Sequence, residues 1–227
     1  MSSPKNSNTL DAVSSTNLQK TLGKQATGVS PRIERADASA NRARILVASK
    51  KLFEQYGVAN VTTDDIARAA KVGKGTLFRR FASKSDLCLA LLEDELLAFQ
   101  KHSMRQIKRL AKAGKTNLEQ LGWLMETIVR FNETHLDLLF EANTPRVHKA
   151  STEPPLQKQF LLVYELLEQA KAANEISAAH QLPVLADLLL APIRPPMLRF
   201  HRQLRGYSIL SLIEELTCVV KGLETKL

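Results

Sequence analysis

The sequence predicts an all-α protein: an N-terminal three-helix head containing a helix-turn-helix, joined by a long helix to a C-terminal helical body. Three observations carry this. Apolar residues make up 44% of the 227-residue chain but aromatics only 5%, which suits helices rich in Ala and Leu. Few runs combine Val, Ile and Thr, so strands are not expected. Beyond residue 40, apolar residues recur at steps of three and four over most of the chain, the period of a helix with one buried face.

Residues 1 to 38 are rich in Ser, Thr, Asn and Gln without a sustained apolar period, and read as a disordered arm. Its Lys20, Lys24, Arg32 and Arg35 are either a passive solvated tail or a contact to a nucleic-acid backbone. The head is expected over 39–86 and the body over 87–227. The first firm helix runs from 41 to 56, with Ile45, Ala48, Leu52, Phe53 and Tyr56 on one face and Gly57 as its stop. Arg42 and Arg44 near its start are positioned to meet phosphates.

The centre of the head is Thr62 to Phe81. Thr62 is an N-cap and Asp65 completes a capping box. Ile66, Ala67 and Ala70 form a small apolar face that admits a close second helix. Lys71 to Gly73 is the turn, with Gly73 expected to supply the backbone freedom for the reversal. The second helix covers Lys74 to Arg80. Leu77 and Phe81 face inward, leaving Thr76, Arg79 and Arg80 outward. From Lys71 to Lys84 there are five basic residues and no acid. A basic second helix in this motif suits a DNA major groove.

Residues 42 to 92 resemble the DNA-binding domain of the tetracycline-repressor (TetR) family of bacterial regulators. Thr62, Ile66, Ala67, Ala70, Val72, Gly75, Leu77, Phe81, Lys84 and Leu87 match that family's pattern. Lys71 replaces its usual turn glycine, Gly73 its usual serine and Phe78 its usual tyrosine, a loss of a hydroxyl that often bonds a backbone phosphate. The resemblance implies DNA-binding residues Thr62, Thr63, Lys74, Gly75, Thr76, Phe78, Arg79, Arg80 and Lys84. It also implies a homodimer on an inverted-repeat double-stranded operator, and a body that binds a small-molecule effector. Repression is the family's commoner mode.

Ser83 or Ser85 caps a long helix from Lys84 to about Leu110, with Leu87, Leu91 and Leu92 turned to the head. Residues 116–145 read as one helix up to Thr144-Pro145, and 146–155 as a loop. Glu153-Pro154-Pro155 restarts a helix that reaches about Ala173. Residues 181–204 form a leucine-rich helix that Pro192, Pro195 and Pro196 must kink or split. The last helix spans about Ser208 to Leu223. Leu182, Leu185, Leu189, Leu210, Ile213, Leu216 and Val220 on these final two helices are the expected dimer interface, since a two-fold contact needs a self-complementary apolar patch; the alternative is burial within one chain. Trp123, Met125, Phe131, Phe140, Phe160 and Tyr164 are candidate effector contacts, or ordinary core.

Charge is unevenly placed. The formal net charge is +9; residues 41–84 hold ten Lys or Arg against three acids, while 151–227 carry eight of each sign. A basic head on a neutral body points to a polyanion at one end. No P-loop, HExxH, CxxC or GxSxG occurs, so an enzyme is not expected. No cofactor or metal site is expected either, the five histidines lacking ligand spacing. With no long apolar run, no signal-peptide core and two distant cysteines, a reduced cytoplasmic protein without membrane contact is expected. The rival reading is a helical module using its basic head on RNA or acidic proteins.

Overall fold

The computed structural model describes residues 31–142 and 155–225. Residues up to Ser39 form a unit apart from Ala40–Leu227. Helix α1 covers Pro31–Tyr56, so it starts well before residue 41 and takes in the end of the expected arm. Residues 31–40 have no apolar stripe, but their Arg, Glu and Ala favour helix, and proline is well placed at a first helical position. Lys20, Lys24, the expected stop at Thr144-Pro145 and residues 146–154 of the expected loop lie outside the described residues.

The head follows the expected plan. α2 (Thr63–Ala69) and α3 (Lys74–Arg80) pack on α1 around Ile45, Phe53, Ile66, Leu77 and Phe81, all buried. The turn differs. Gly73 is an extended N-cap (φ −67°), and the left-handed residue is Lys71 (φ +53°). Lys71 thus stands at α2's C-terminus with a backbone that glycine adopts more readily.

α4 (Lys84–Lys112) starts on Ser83, whose hydroxyl accepts from the Asp86 amide. Leu87 and Cys88 complete the head core. Leu92 does not: with Leu96 and Leu139 it forms a separate cluster against α6 (Leu136–Ala142). Ser85, expected only as an alternative cap, is buried and donates to the Glu141 carbonyl at 2.8 Å. α4 is therefore tied to both head and body along its first turns.

The predicted 116–145 helix is two helices. α5 (Asn117–Thr134) opens on a Thr116–Glu119 capping box and stops at His135, before α6. The Glu175 carboxylate also accepts from the amides of Asn117 and Leu118, at 3.0 and 2.9 Å, placing an anion on the positive end of α5. α7 (Pro155–Ala172) begins where expected. The 181–204 helix is split, as its prolines require. α8 (Leu182–Leu190) passes into a 3₁₀ turn, Arg194 is extended (φ −63°, ψ 147°), and α9 (Pro195–Arg199) gives way to a π turn over Phe200–Leu204. Pro195 disfavours the helical conformation for the residue before it, and the break falls on Arg194. α10 (Ile209–Lys221) closes the bundle on an Ser208 cap. Among the described residues there is no strand, only an isolated bridge between Ile176 and Glu224. No described helix is long and apolar enough to cross a membrane.

The body core gathers Leu121, Leu124, Ile128, Val163, Leu166 and Leu167 with the inner faces of α8 and α10. Truncating one such leucine to alanine costs about 2–5 kcal/mol. Leu189, Ile213, Leu216 and Val220 belong to this core, and Leu182 and Leu185 pack half-buried against it. Of the seven residues expected at a dimer interface, Leu210 alone is an exposed large apolar residue. The leucine period on these helices is a core stripe. Their outer faces carry instead Val184 and Leu188 on α8 and Leu210 and Val219 on α10.

Candidate nucleic-acid interface

The head presents one polar face, built by the two inward anchors of α3. Leu77 is wholly buried and Phe81 nearly so, which fixes the rotation of the helix. Lys74, Gly75, Phe78, Arg79 and Arg80 are then exposed, with Thr76 half-buried beside them. A Cβ on Gly75 would meet nothing within 4 Å, so the backbone there is open to close approach by a ligand. Lys84, at the start of α4, and Thr63, at the start of α2, are half-buried.

Several of these side chains have partners that the sequence did not suggest. Lys74 Nζ lies 2.7 Å from Asp64 Oδ1, a pair that bridges α2 and α3 across the turn. Arg79 donates to the Thr76 hydroxyl at 3.2 Å. Thr62 is committed to its cap: its hydroxyl and then its amide donate to Asp65 and hold that carboxylate below the ordinary aspartate range. Arg42 lies 3.6 Å from Glu93 and over the Phe81 ring, so it braces the head as well as carrying charge. The Thr62–Asp65 box is the one expected from spacing alone; the Asp64–Lys74 pair depends on the angle between two helices.

The six candidate effector contacts do not form one wall. Met125 is core. Trp123 faces His102 at 5.9 Å and lines a recess beside α10. Phe131 lies between Phe99 and His135. Phe140 is covered by the Arg199 guanidinium at 3.8 Å, and Phe160 stacks with Tyr164 at 6.0 Å. Burial pushes the His135 imidazole below the ordinary histidine pKa, opposed by Glu95 nearby.

The sequence pattern of the family described as "Bacterial regulatory proteins, tetR family" matches residues 45–91, from the middle of α1 to the first turns of α4. An HTH-type transcriptional regulator of Staphylococcus aureus (strain MRSA252) is 30% identical over 179 residues, which cover 77% of this chain and 89% of that protein. The chain belongs to the tetR family. A second such regulator from Staphylococcus aureus (strain bovine RF122 / ET3-1) is 32% identical over the same coverage. Membership makes the protein a DNA-binding transcriptional regulator with a helix-turn-helix. The fold is shared with solved members: Thermus thermophilus FadR, a transcriptional repressor in complex with lauroyl-CoA, superposes with a TM-score of 0.61 at 21% identity, covering 82% of this chain and 97% of that one. Bacillus subtilis FadR in complex with stearoyl-CoA gives 0.55 at 15% identity, covering 81% and 99%.

Proposed function

We propose that this protein is a homodimeric repressor that binds an inverted-repeat operator through α2 and α3 and leaves it when a small-molecule effector binds the body. The observation that carries the reading is the α3 face. Its apolar anchors are buried while Lys74, Gly75, Phe78, Arg79 and Arg80 are exposed on the face that would enter a major groove.

Dimerisation is assigned to the outer faces of α8 and α10. Leu188 is 66% exposed and Leu210 57%, with Val184 and Val219 beside them, an apolar surface that two-fold pairing would cover. Two heads then present two recognition helices, and the operator mirrors that symmetry. The effector acts only through unequal affinity for the DNA-bound and released arrangements. Tetr-family structures with acyl-CoA bound support a small-molecule effector in general; this chain's own cavities suggest where to look for one.

Selection of bound duplexes from a random pool tests the reading. Enriched sites with dyad symmetry, each holding two protomers, support it. Enriched sites without symmetry, or equal retention of single-stranded RNA, count against it.

A further inference from the structure

One unassigned cleft lies where the head meets the body. A cleft of about 470 Å³ opens between the end of α1, the middle of α4 and the α5–α6 link. That volume is in the range of small-molecule sites. Its apolar walls include Phe53 and Val58 from the head, Leu91 from α4, and Leu136 and Leu138 from the start of α6. A second recess of about 370 Å³ shares Glu95, Thr134 and His135 with it and continues past Phe99 and Phe131. These three residues are common to the lining of both recesses.

The polar groups of the cleft are mostly carboxylates: Glu54, Glu95, Glu133 and Asp137, against Lys50. Asp137 is paired with Arg199 at 2.6 Å. Glu133 Oε1 accepts from Arg202 at 2.8 Å, but Glu133 Oε2 is buried without a hydrogen-bond partner. A buried carboxylate oxygen left without a donor is expensive, and a bound donor would satisfy it. Glu54 and Glu95 are exposed at the rim and form no ion pair among the described residues. The site therefore combines apolar walls, surplus negative charge and one open acceptor.

We infer that this cleft binds an amphipathic organic cation with N–H donors, a protonated alkyl- or arylalkylamine, whose ammonium group meets Glu133 and the rim carboxylates while its apolar tail lies against Phe53, Leu91 and Leu136. Such a ligand touches α1 and the α5–α6 link at once. It therefore favours one placement of the head against the body, and DNA affinity follows. By reciprocity, DNA changes the amine's affinity by the same factor. The binding step stands on the cleft alone; only the link to DNA rests on the regulator reading above.

Decylamine is a suitable probe, with decyltrimethylammonium, decanol and decanoate as comparisons. Calorimetry on the full chain without DNA reads the site directly. Decylamine should bind about tenfold more tightly than decanol or decanoate, and more tightly than the quaternary cation, which has no N–H. Glu54→Gln/Glu95→Gln and, separately, the cleft-filling Leu136→Trp should each weaken decylamine about tenfold, with thermal melting confirming that each variant is folded. On a selected duplex, saturating decylamine should shift wild-type affinity by about threefold or more and leave Leu136→Trp unmoved at the same concentration. Equal binding of decanol or decanoate overturns the ligand class. Wild-type affinity in both folded variants overturns the location. Unchanged duplex affinity at saturation overturns the link to DNA. Duplex binding measured without amine reports separately on the regulator reading.

Discussion

Lys71→Gly should make the protein more stable. Lys71 holds φ +53° at the end of α2. Its amide donates to the Arg68 carbonyl at 3.1 Å, and the Val72 amide to the Ala67 carbonyl at 3.0 Å. This pair of bonds is a Schellman cap, which satisfies carbonyls that the helix end leaves open. The same pair ends α4, from Gly114 and Lys115, and α7, from Asn174 and Glu175. Those two caps use glycine and asparagine in the left-handed position (φ +77° and +58°); α2 uses lysine. A left-handed backbone costs a residue with a Cβ roughly 1–2 kcal/mol. Glycine removes that strain but gains about 0.4–1 kcal/mol of freedom in the unfolded chain. The net gain is about 0.5–1 kcal/mol, equivalent to a rise of roughly 1–4 °C in Tm for a chain of this size. Lys71→Asn should give a smaller rise and Lys71→Ala none, since alanine keeps the Cβ. Thermal unfolding followed by circular dichroism compares the three. A rise with alanine equal to that with glycine, or a fall with glycine, would refute the assignment of strain to this residue.

Three further outcomes follow from named contacts. Leu188→Asp or Leu210→Asp should give folded monomers in sedimentation, each losing roughly 2 kcal/mol or more of interface energy, whereas Ile213→Asp should lower the stability of the chain itself because that side chain is core. Asp64→Ala should release Lys74 from its 2.7 Å ion pair and raise the positive charge of each head by one, steepening the salt dependence of duplex binding by about one per head in log–log slope; an unchanged slope would mean that Asp64 does not hold Lys74 back from the duplex. His135 has a lowered pKa through burial, so the folded state disfavours its charged form. Its contribution is fully present above about pH 6.5, where the unfolded histidine is neutral, and is lost as pH falls from there through the folded pKa. Chemical denaturation at pH 7.5 and 5.5 should therefore show a smaller acid loss for His135→Gln than for the wild type, and equal losses would contradict it.

The head was legible because its signals are local. A cap at Thr62, inward residues at Ile66, Leu77 and Phe81, and outward cations follow from spacing along short helices. The turn was misread because glycine marks where a left-handed backbone is easy, while tertiary packing decides where it occurs; Lys71 accepts the strain and Gly73 is extended. In the body, the proline breaks were legible because proline acts on its own neighbours. The break at His135 was not, since no glycine or proline marks it. The leucines of α8 and α10 have a helical period, but period alone does not distinguish a face turned to the same chain from one turned to a second. Leu189 and Ile213 proved to be the former, and Leu188 and Leu210 are the exposed residues. The junction cleft draws residues from Lys50 to Gln203, a convergence that no linear pattern contains.

The exposed face of α3 is proposed to read DNA bases while the start of α4 holds the backbone. The most direct measurement compares Lys74→Ala, Thr76→Ala and Lys84→Ala on selected duplexes carrying single base-pair changes, each over a range of salt. Lys74→Ala and Thr76→Ala should alter preference at one or two positions by about 1–3 kcal/mol. Lys84→Ala should weaken all duplexes alike and reduce the salt slope by about one per head. Three identical profiles, or a change in base preference only with Lys84→Ala, would contradict the claim.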